Sequence, residues 1–297
     1  MSSLSFRQFL QTHKELIEQE LKKYIEQLNA PAVLKEAMDY SLQAGGKRIR
    51  PMLVFSVLDA LGKDTSIGLP VACSIEMIHT YSLIHDDLPG MDNDSLRRGK
   101  PTNHIVFGEA NAILAGDALL TLSFGVLSEM NQTEVTAEQQ IAIMQVIAQC
   151  AGAEGMIGGQ TVDMASEGKT ISLEELEYIH EHKTGKLLSA SIITGAILGG
   201  ADNDQLDALR KFSKHLGLAF QIRDDILDVE GNEELIGKPV GSDVDNNKST
   251  YPALLTLNGA KEKLAAEINQ AIHALESIRF ENSYLMDLTK LVAERNM

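Results

Sequence analysis

Helical spacing of apolar residues runs through this chain almost without interruption, which leaves little room for any fold but an all-helical one. Phe6, Phe9, Leu10, His13, Leu16, Ile17, Leu21, Tyr24 and Leu28 keep a spacing of 3–4 until Ala30-Pro31 breaks the run. Further helical runs are expected near 48–61, 68–88, 104–130, 136–165, 173–199, 203–229 and 259–277. Several carry few charges, which marks helices surrounded by other helices. Ser172-Leu173-Glu174-Glu175 and Thr136-Ala137-Glu138-Gln139 have the pattern of capped helix starts. No run alternates as a strand does. The breaks are short except for 230–249, which is rich in Gly, Asn and Asp and carries Lys238 and Lys248. Loops of that length are often functional. No repeat, linker or low-complexity segment divides residues 1–297, so a single domain is expected.

An apolar content of 44% is ample for a sizeable core. The 26 basic and 42 acidic side chains leave a formal charge of −16. A surface that negative repels nucleic acid and anionic lipid, so neither is expected as a partner. An anionic substrate would need a local basic patch or metal ions. Cys73 and Cys150 each lie in an apolar stretch and read as small buried hydrophobes rather than a disulfide. Neither a signal peptide nor a membrane span is expected, and the chain reads as a reduced, cytoplasmic protein.

Two aspartate-rich segments interrupt this apolar pattern, Asp86-Asp87-Leu88-Pro89-Gly90-Met91-Asp92 and Asp224-Asp225-Ile226-Leu227-Asp228. Aspartates at i, i+1 and i+4 of a helix project from nearly one face. Two such faces turned toward each other repel strongly unless something positive lies between them. Mg2+ takes one or two protein carboxylates and leaves the rest of its shell to water and phosphate. The two segments therefore read as a pocket for a magnesium-bound polyphosphate. An acidic pair alone is most often a solvated helix face. The preceding stretch, Val71 to His85, is too apolar for that. Pro89-Gly90 bends the chain, so Asp92 must return from a turn. Asp92-Asn93-Asp94 does not begin an EF-hand loop, because Arg97 stands where that loop needs Gly.

Basic clusters complement the acidic ones. Leu96-Arg97-Arg98-Gly99-Lys100-Pro101-Thr102 supplies two guanidiniums suited to bidentate phosphate contacts. Gly45-Gly46-Lys47-Arg48-Ile49-Arg50-Pro51 begins at an expected helix start, where glycines and helix N-terminus favour an anion. It lacks the spacing of a Walker A loop. Either cluster alone reads as a solvated basic turn; in so acidic a chain they argue for one organised site. His79, a turn or so before Leu83 and Asp86, is placed to donate to phosphate, whereas His85 reads as structural. His180 and His182 lack a metal-type i, i+4 partner. Lys183-Thr184-Gly185-Lys186 and Gln221 carry polar groups on apolar elements, and buried polar groups need partners.

Five motifs in order resemble the trans-isoprenyl diphosphate synthases: Gly45 to Pro51, Leu83-Ile84-His85-Asp86-Asp87 through Gly99, Lys183 to Lys186, Gln221 to Asp228, and Gly241-Ser242-Asp243 with Lys248-Ser249-Thr250-Tyr251-Pro252. The resemblance implies an all-α, single-domain bundle of about ten or more helices around a deep central cavity, the isoprenoid synthase fold. It also implies a homodimer that condenses isopentenyl diphosphate head to tail with allylic diphosphates, using Mg2+. By the same resemblance, Asp86 and Asp92, with Asp87 in support, bind two Mg2+ ions on the allylic diphosphate, and Asp224 holds a third. Arg97, Lys183 and Lys238 contact that diphosphate. Lys47, Arg50, His79 and Arg98 bind isopentenyl diphosphate, and Thr184 and Gln221 set oxygen dipoles near the allylic cation. Ser95 departs from the family, which commonly continues the acidic run past Asp94, but it lies outside the expected ligands. The C-terminal Glu294 to Met297 matches loosely and is assigned nothing.

Product length turns on the residues four and five before the first aspartate, Ser82 and Tyr81, which tend to floor the cavity in this family. A helix rises about 1.5 Å per residue, so Tyr81 lies roughly 7–8 Å deeper than Asp86. An aromatic ring there resembles the bacterial members that stop at the C15 farnesyl product. C20 and C10 products are the rivals, and ordinary packing is the plain alternative for Tyr81. A terpene cyclase would not need Lys47, Arg50 and Arg98. A silent regulatory subunit of a heteromeric synthase is at odds with intact Asp86, Asp92, Asp224 and Asp225.

Overall fold

A computed structural model describes residues 3–131, 133–230, 249–278 and 284–294. Lys238, Gly241-Ser242-Asp243 and Lys248 lie outside the described residues. The elements are α1 (Ser3–Gln27), α2 (Ala32–Leu42), α3 (Ile49–Ala60), α4 (Leu69–Asp86), β1 (Leu96–Arg97), β2 (Lys100–Pro101), α5 (Asn103–Phe107), α6 (Glu109–Ser128), α7 (Ala137–Ala151) and α8 (Met156–Ser166). After these come α9 (Leu173–Ile179), a π-helical segment (His180–Gly185), α10 (Lys186–Gly199), α11 (Asn203–Glu230), α12 (Tyr251–Glu276) and α13 (Tyr284–Glu294). The all-helical expectation holds. Among the described residues the one sheet is the two-residue hairpin β1–β2, with Leu96 opposite Pro101.

Local chemistry sets the helix starts. Ser172 Oγ accepts from the Glu175 N–H at 3.2 Å while Glu175 Oε2 accepts from the Ser172 N–H at 2.8 Å, a complete capping box. Thr136 and Gln139 reciprocate in the same way at 3.2 and 3.1 Å. Two expected runs are each split. The first breaks at Gly108, whose φ of +83° ends α5. The second breaks between α7 and α8, where Gly155 lies so close to Cys150 that a Cβ would meet its carbonyl oxygen at 2.0 Å.

Contacts divide the chain into two units, Met1–Phe55 with Thr65–Met144, and Ser56–Asp64 with Gln145–Met297. In the first, α4 is the central helix: Val71 to Ile78, Tyr81 and Ile84 are all buried. Ala112, Ala115 and Gly116 of α6 are small enough for that helix to approach α4 closely. In the second unit, α11 packs against α10, α12 and α13. Leu176, Ala219, Ile222, Ile226, Tyr251, Ala260 and Leu264 form its core. Each large apolar side chain so buried contributes about 1.5–3 kcal/mol.

The sequence leads to no expected membrane span, yet three helices are long and apolar enough to cross one. By length and composition alone, Thr65–Asp86, Glu109–Ser128 and Ala137–Ser166 all qualify. The rest of the chain covers most of the first, whose apolar window is 67% buried, but less of the other two, at 39% and 28%. Cys73 is buried as expected, but Cys150 is only half-buried; both are free thiols.

Candidate active site

In the first unit the acidic segment closes α4. Past Asp86 the chain turns back on itself: the Leu88 N–H donates to the His85 carbonyl at 3.1 Å, and the Asp92 N–H to the Asp86 carbonyl at 2.9 Å. Pro89-Gly90 thus returns Asp92 to Asp86, and both side chains are half-buried. Asp87 points elsewhere. It is buried, and Arg97 grips it with Nε at 2.8 and 3.0 Å from the two oxygens and Nη2 at 2.6 Å from Oδ1. Burial raises the Asp87 pKa, and Arg97 only partly opposes that effect.

Arg98 leaves the same hairpin in another direction. Its φ is +53°, and its Nη1 donates to the Gly45 carbonyl. Its guanidinium lies 2.8 Å from where a Cβ on Gly46 would sit, and the φ of +124° at Gly46 is one that favours glycine. The Gly45-Gly46 loop therefore presents Lys47, exposed, and Arg50, half-buried, beside Arg98. His79 lies half-buried on α4. Burial lowers its pKa well below the usual value, and Arg50, Arg98, Arg97 and Arg48 lower it further. A neutral imidazole near Arg50, Arg97 and Arg98 can donate one N–H to an anion, whereas Arg48 is buried against Glu76. That concentration of positive charge stands out in a chain of net charge −16.

Tyr81 is 5% exposed, with its hydroxyl buried and unpartnered. Burial and Asp86 push its pKa up to about 12. Its ring meets His85 edge-on, centroids 5.7 Å apart. His85 in turn donates from Nε2 to the Ile113 carbonyl at 3.0 Å, and its ring occupies the place of a Cβ on Gly116. Ser82 Oγ donates to the His79 carbonyl at 2.9 Å.

In the second unit Lys183 and Thr184 sit in the π-helical segment, a wide turn that recurs at functional sites. Two glycines make room for it. A Cβ on Gly159 would lie 2.2 Å from the Lys183 nitrogen, and one on Gly217 would lie 3.0 Å from the Gly185 Cα. Lys183 Nζ pairs with Asp163 Oδ2 at 2.6 Å. Thr184, Gln221 and Asp224 are half-buried, whereas Asp225 and Asp228 are buried. Asp225 accepts the Tyr251 N–H at 2.9 Å and lies 3.4 Å from His180 Nε2, so it anchors the start of α12. His182 stacks on Tyr178, which agrees with a structural role.

Sequence reasoning passed over Asp163, the partner of Lys183, and the buried Arg48–Glu76 pair. Asp163 stands 20 residues from Lys183 on another helix, and no spacing rule links them. Arg48 was visible only as one more cation in a basic run.

The donor set suits Mg2+. Asp86 and Asp92 offer hard oxygens from a single turn, and this ion takes few protein carboxylates. Among the described residues no three His, Cys, Asp or Glu side chains gather closely enough to hold a metal by themselves. An ion here would complete its shell with water and phosphate.

Helical architecture, an acidic turn at the end of α4, and arginines of α3 and the β1–β2 hairpin near His79 of that helix together define a metal-dependent, diphosphate-handling protein. The polyprenyl synthetase profile matches residues 31–282, and the chain belongs to that family, with its all-α isoprenoid synthase fold. The family uses Mg2+. The chain is 59% identical over 296 residues to a farnesyl diphosphate synthase of Geobacillus stearothermophilus, with 100% of each chain covered. It is 54% identical over 288 residues to the farnesyl diphosphate synthase of Bacillus subtilis strain 168, with 97% of each covered. A solved structure of a geranyltransferase from Legionella pneumophila matches with a TM-score of 0.88 at 34% identity, covering 99% of each chain.

Proposed function

We propose that this chain is a farnesyl diphosphate synthase, joining isopentenyl diphosphate head to tail with dimethylallyl and then geranyl diphosphate to give (2E,6E)-farnesyl diphosphate. The observation that carries this reading is that His79, near Arg50 and Arg98, lies on the same helix that ends in the Asp86–Asp92 turn. The full-length farnesyl-forming relatives support it. Residues 1–297 act as one catalytic domain in this reading. Asp86 and Asp92, with Asp87 in support, would hold two Mg2+ ions and Asp224 a third, and Arg97 fixes Asp87.

Bound Mg2+ would neutralise the charge that develops on the departing pyrophosphate. The protein's own contribution is positioning and electrostatics. Arg97, Lys183 and Lys238 hold the allylic diphosphate, and Asp163 sets the direction of Lys183. Lys47, Arg50, His79 and Arg98 hold isopentenyl diphosphate. The allylic C1–O bond breaks, and the double bond of isopentenyl diphosphate supplies the electron pair for the new carbon–carbon bond. Thr184 and Gln221 place oxygen dipoles near the cationic carbon. The released pyrophosphate takes the proton, so no side-chain base is required.

The enzyme is proposed to work as a cytoplasmic homodimer without membrane insertion. Ile105, Val106, Ile113 and Leu114 on α5 and α6 are 43–55% exposed and give that pairing an apolar surface. Incubation with Mg2+, dimethylallyl diphosphate and labelled isopentenyl diphosphate tests the activity. A C15 product is expected; a C20 product would replace the farnesyl assignment with a geranylgeranyl one, and no product would end the reading.

A further inference from the structure

The basic loop from Gly45 to Pro51 carries a third cation between Lys47 and Arg50, and it faces the other way. Arg48 has a left-handed φ of +51° and is 3% exposed. Its Nη1 donates to Glu76 Oε1 at 2.6 Å, and Glu76 is itself 3% exposed. Nη2 donates to the carbonyl of Leu42, the last residue of α2, and Nε lies 3.5 Å from Glu18 Oε1 on α1. The Arg48 carbonyl accepts the Met52 N–H at 3.0 Å, so the same residue starts α3. One guanidinium therefore ties the loop to three helices.

A buried ion pair is a poor source of stability, because desolvation offsets most of its Coulombic gain. What this pair supplies is geometry. Glu76 shares a face of α4 with His79 and Asp86, three and ten residues further on. Burying Arg48 leaves its neighbour Lys47 exposed, and Arg98 braces the loop at Gly45 and Gly46. The loop is thus held in register with the helix that bears His79 and the acidic turn.

We propose that Arg48 and Glu76 are positioning residues that set the loop's distance from α4 and so govern affinity for isopentenyl diphosphate, not for the allylic substrate. This rests on the assignment of Lys47 and Arg50 to that substrate.

The test uses the full-length protein with Arg48→Lys, Glu76→Gln and the milder Glu18→Gln. Lysine keeps the charge but cannot reproduce the guanidinium fork, and glutamine keeps an acceptor but loses the charge. Calorimetry would measure the Kd of isopentenyl diphosphate alone, and kinetics the KM of each substrate. For Arg48→Lys and Glu76→Gln, Kd and KM for isopentenyl diphosphate should rise about tenfold or more, with the KM for geranyl diphosphate within about twofold of the unmodified protein. Glu18→Gln should raise the Kd about two- to threefold. Unchanged affinity beside a lowered melting temperature, or equal rises for both substrates, would show a purely structural pair and overturn the proposal. If Arg48→Lys does not fold, an unchanged Kd in both glutamine variants overturns it as well. Failure of the unmodified protein to make any prenyl product would instead sink the functional reading beneath it.

Discussion

His79 occupies a place where a proton would add one more positive charge to Arg48, Arg50, Arg97 and Arg98. Its pKa is lowered on folding, so below the unfolded value of about 6.5 the unfolded chain binds a proton that the folded chain refuses. Stability from this residue is therefore present above that pH and lost as pH falls through it. His79→Gln should flatten the stability–pH curve between roughly pH 7 and pH 5.5, read from urea midpoints; an unchanged slope would mean that His79 already titrates normally. Tyr81 makes a different kind of contribution. Its buried ring rests edge-on against His85, which is seated over Gly116. Tyr81→Ala should leave total isopentenyl incorporation similar but shift the product from C15 to C20 or longer, at a stability cost of about 3 kcal/mol or more from the cavity. Product chromatography decides it, and an unchanged C15 profile would move the cavity floor elsewhere. At this scale the motifs named nearly every residue now placed in the described parts of the site. They did not reveal which arginine of the Lys47-Arg48-Ile49-Arg50 run turns inward, because charge pattern carries no information about burial.

The helix boundaries marked by side-chain caps were legible because Ser172 and Thr136 announce themselves locally. The π-helical segment was not. Its i, i+5 pattern has no residue preference of its own and is enforced by tertiary approach at Gly159 and Gly217. Gly159→Ala would place a methyl 2.2 Å from the Lys183 nitrogen, so backbone must shift. The expected outcome is a loss of about 1–3 kcal/mol from overpacking, with kcat falling more than about tenfold as Lys183 leaves its place beside Asp163. Thermal denaturation and steady-state kinetics would check both halves. Wild-type kcat in a destabilised variant would separate the segment's shape from catalysis. α13 was missed for a simpler reason: residues 284–294 lie beyond the last run whose periodicity was clear.

For the molecule as a whole, apolar composition predicted a large core but could not say what covers each helix. The Glu109–Ser128 window is only 39% buried within the chain, so much of α6 must meet either water or something else. Leu114, at 55% exposure, is the most exposed of the four large apolar residues on α5 and α6. If a second copy covers this face, Leu114→Glu introduces a carboxylate that must be desolvated at the interface, against a chain already at −16. The fold should survive, because the side chain is exposed in the single chain, and circular dichroism should show unchanged helix content. Sedimentation velocity should then show a dimer for the unmodified protein and a monomer for Leu114→Glu at micromolar concentration. A dimer that persists in the variant would place the interface on another face. An unmodified protein that is monomeric in solution yet pellets with lipid vesicles would assign α6 to a membrane surface and remove the homodimer from the proposed function.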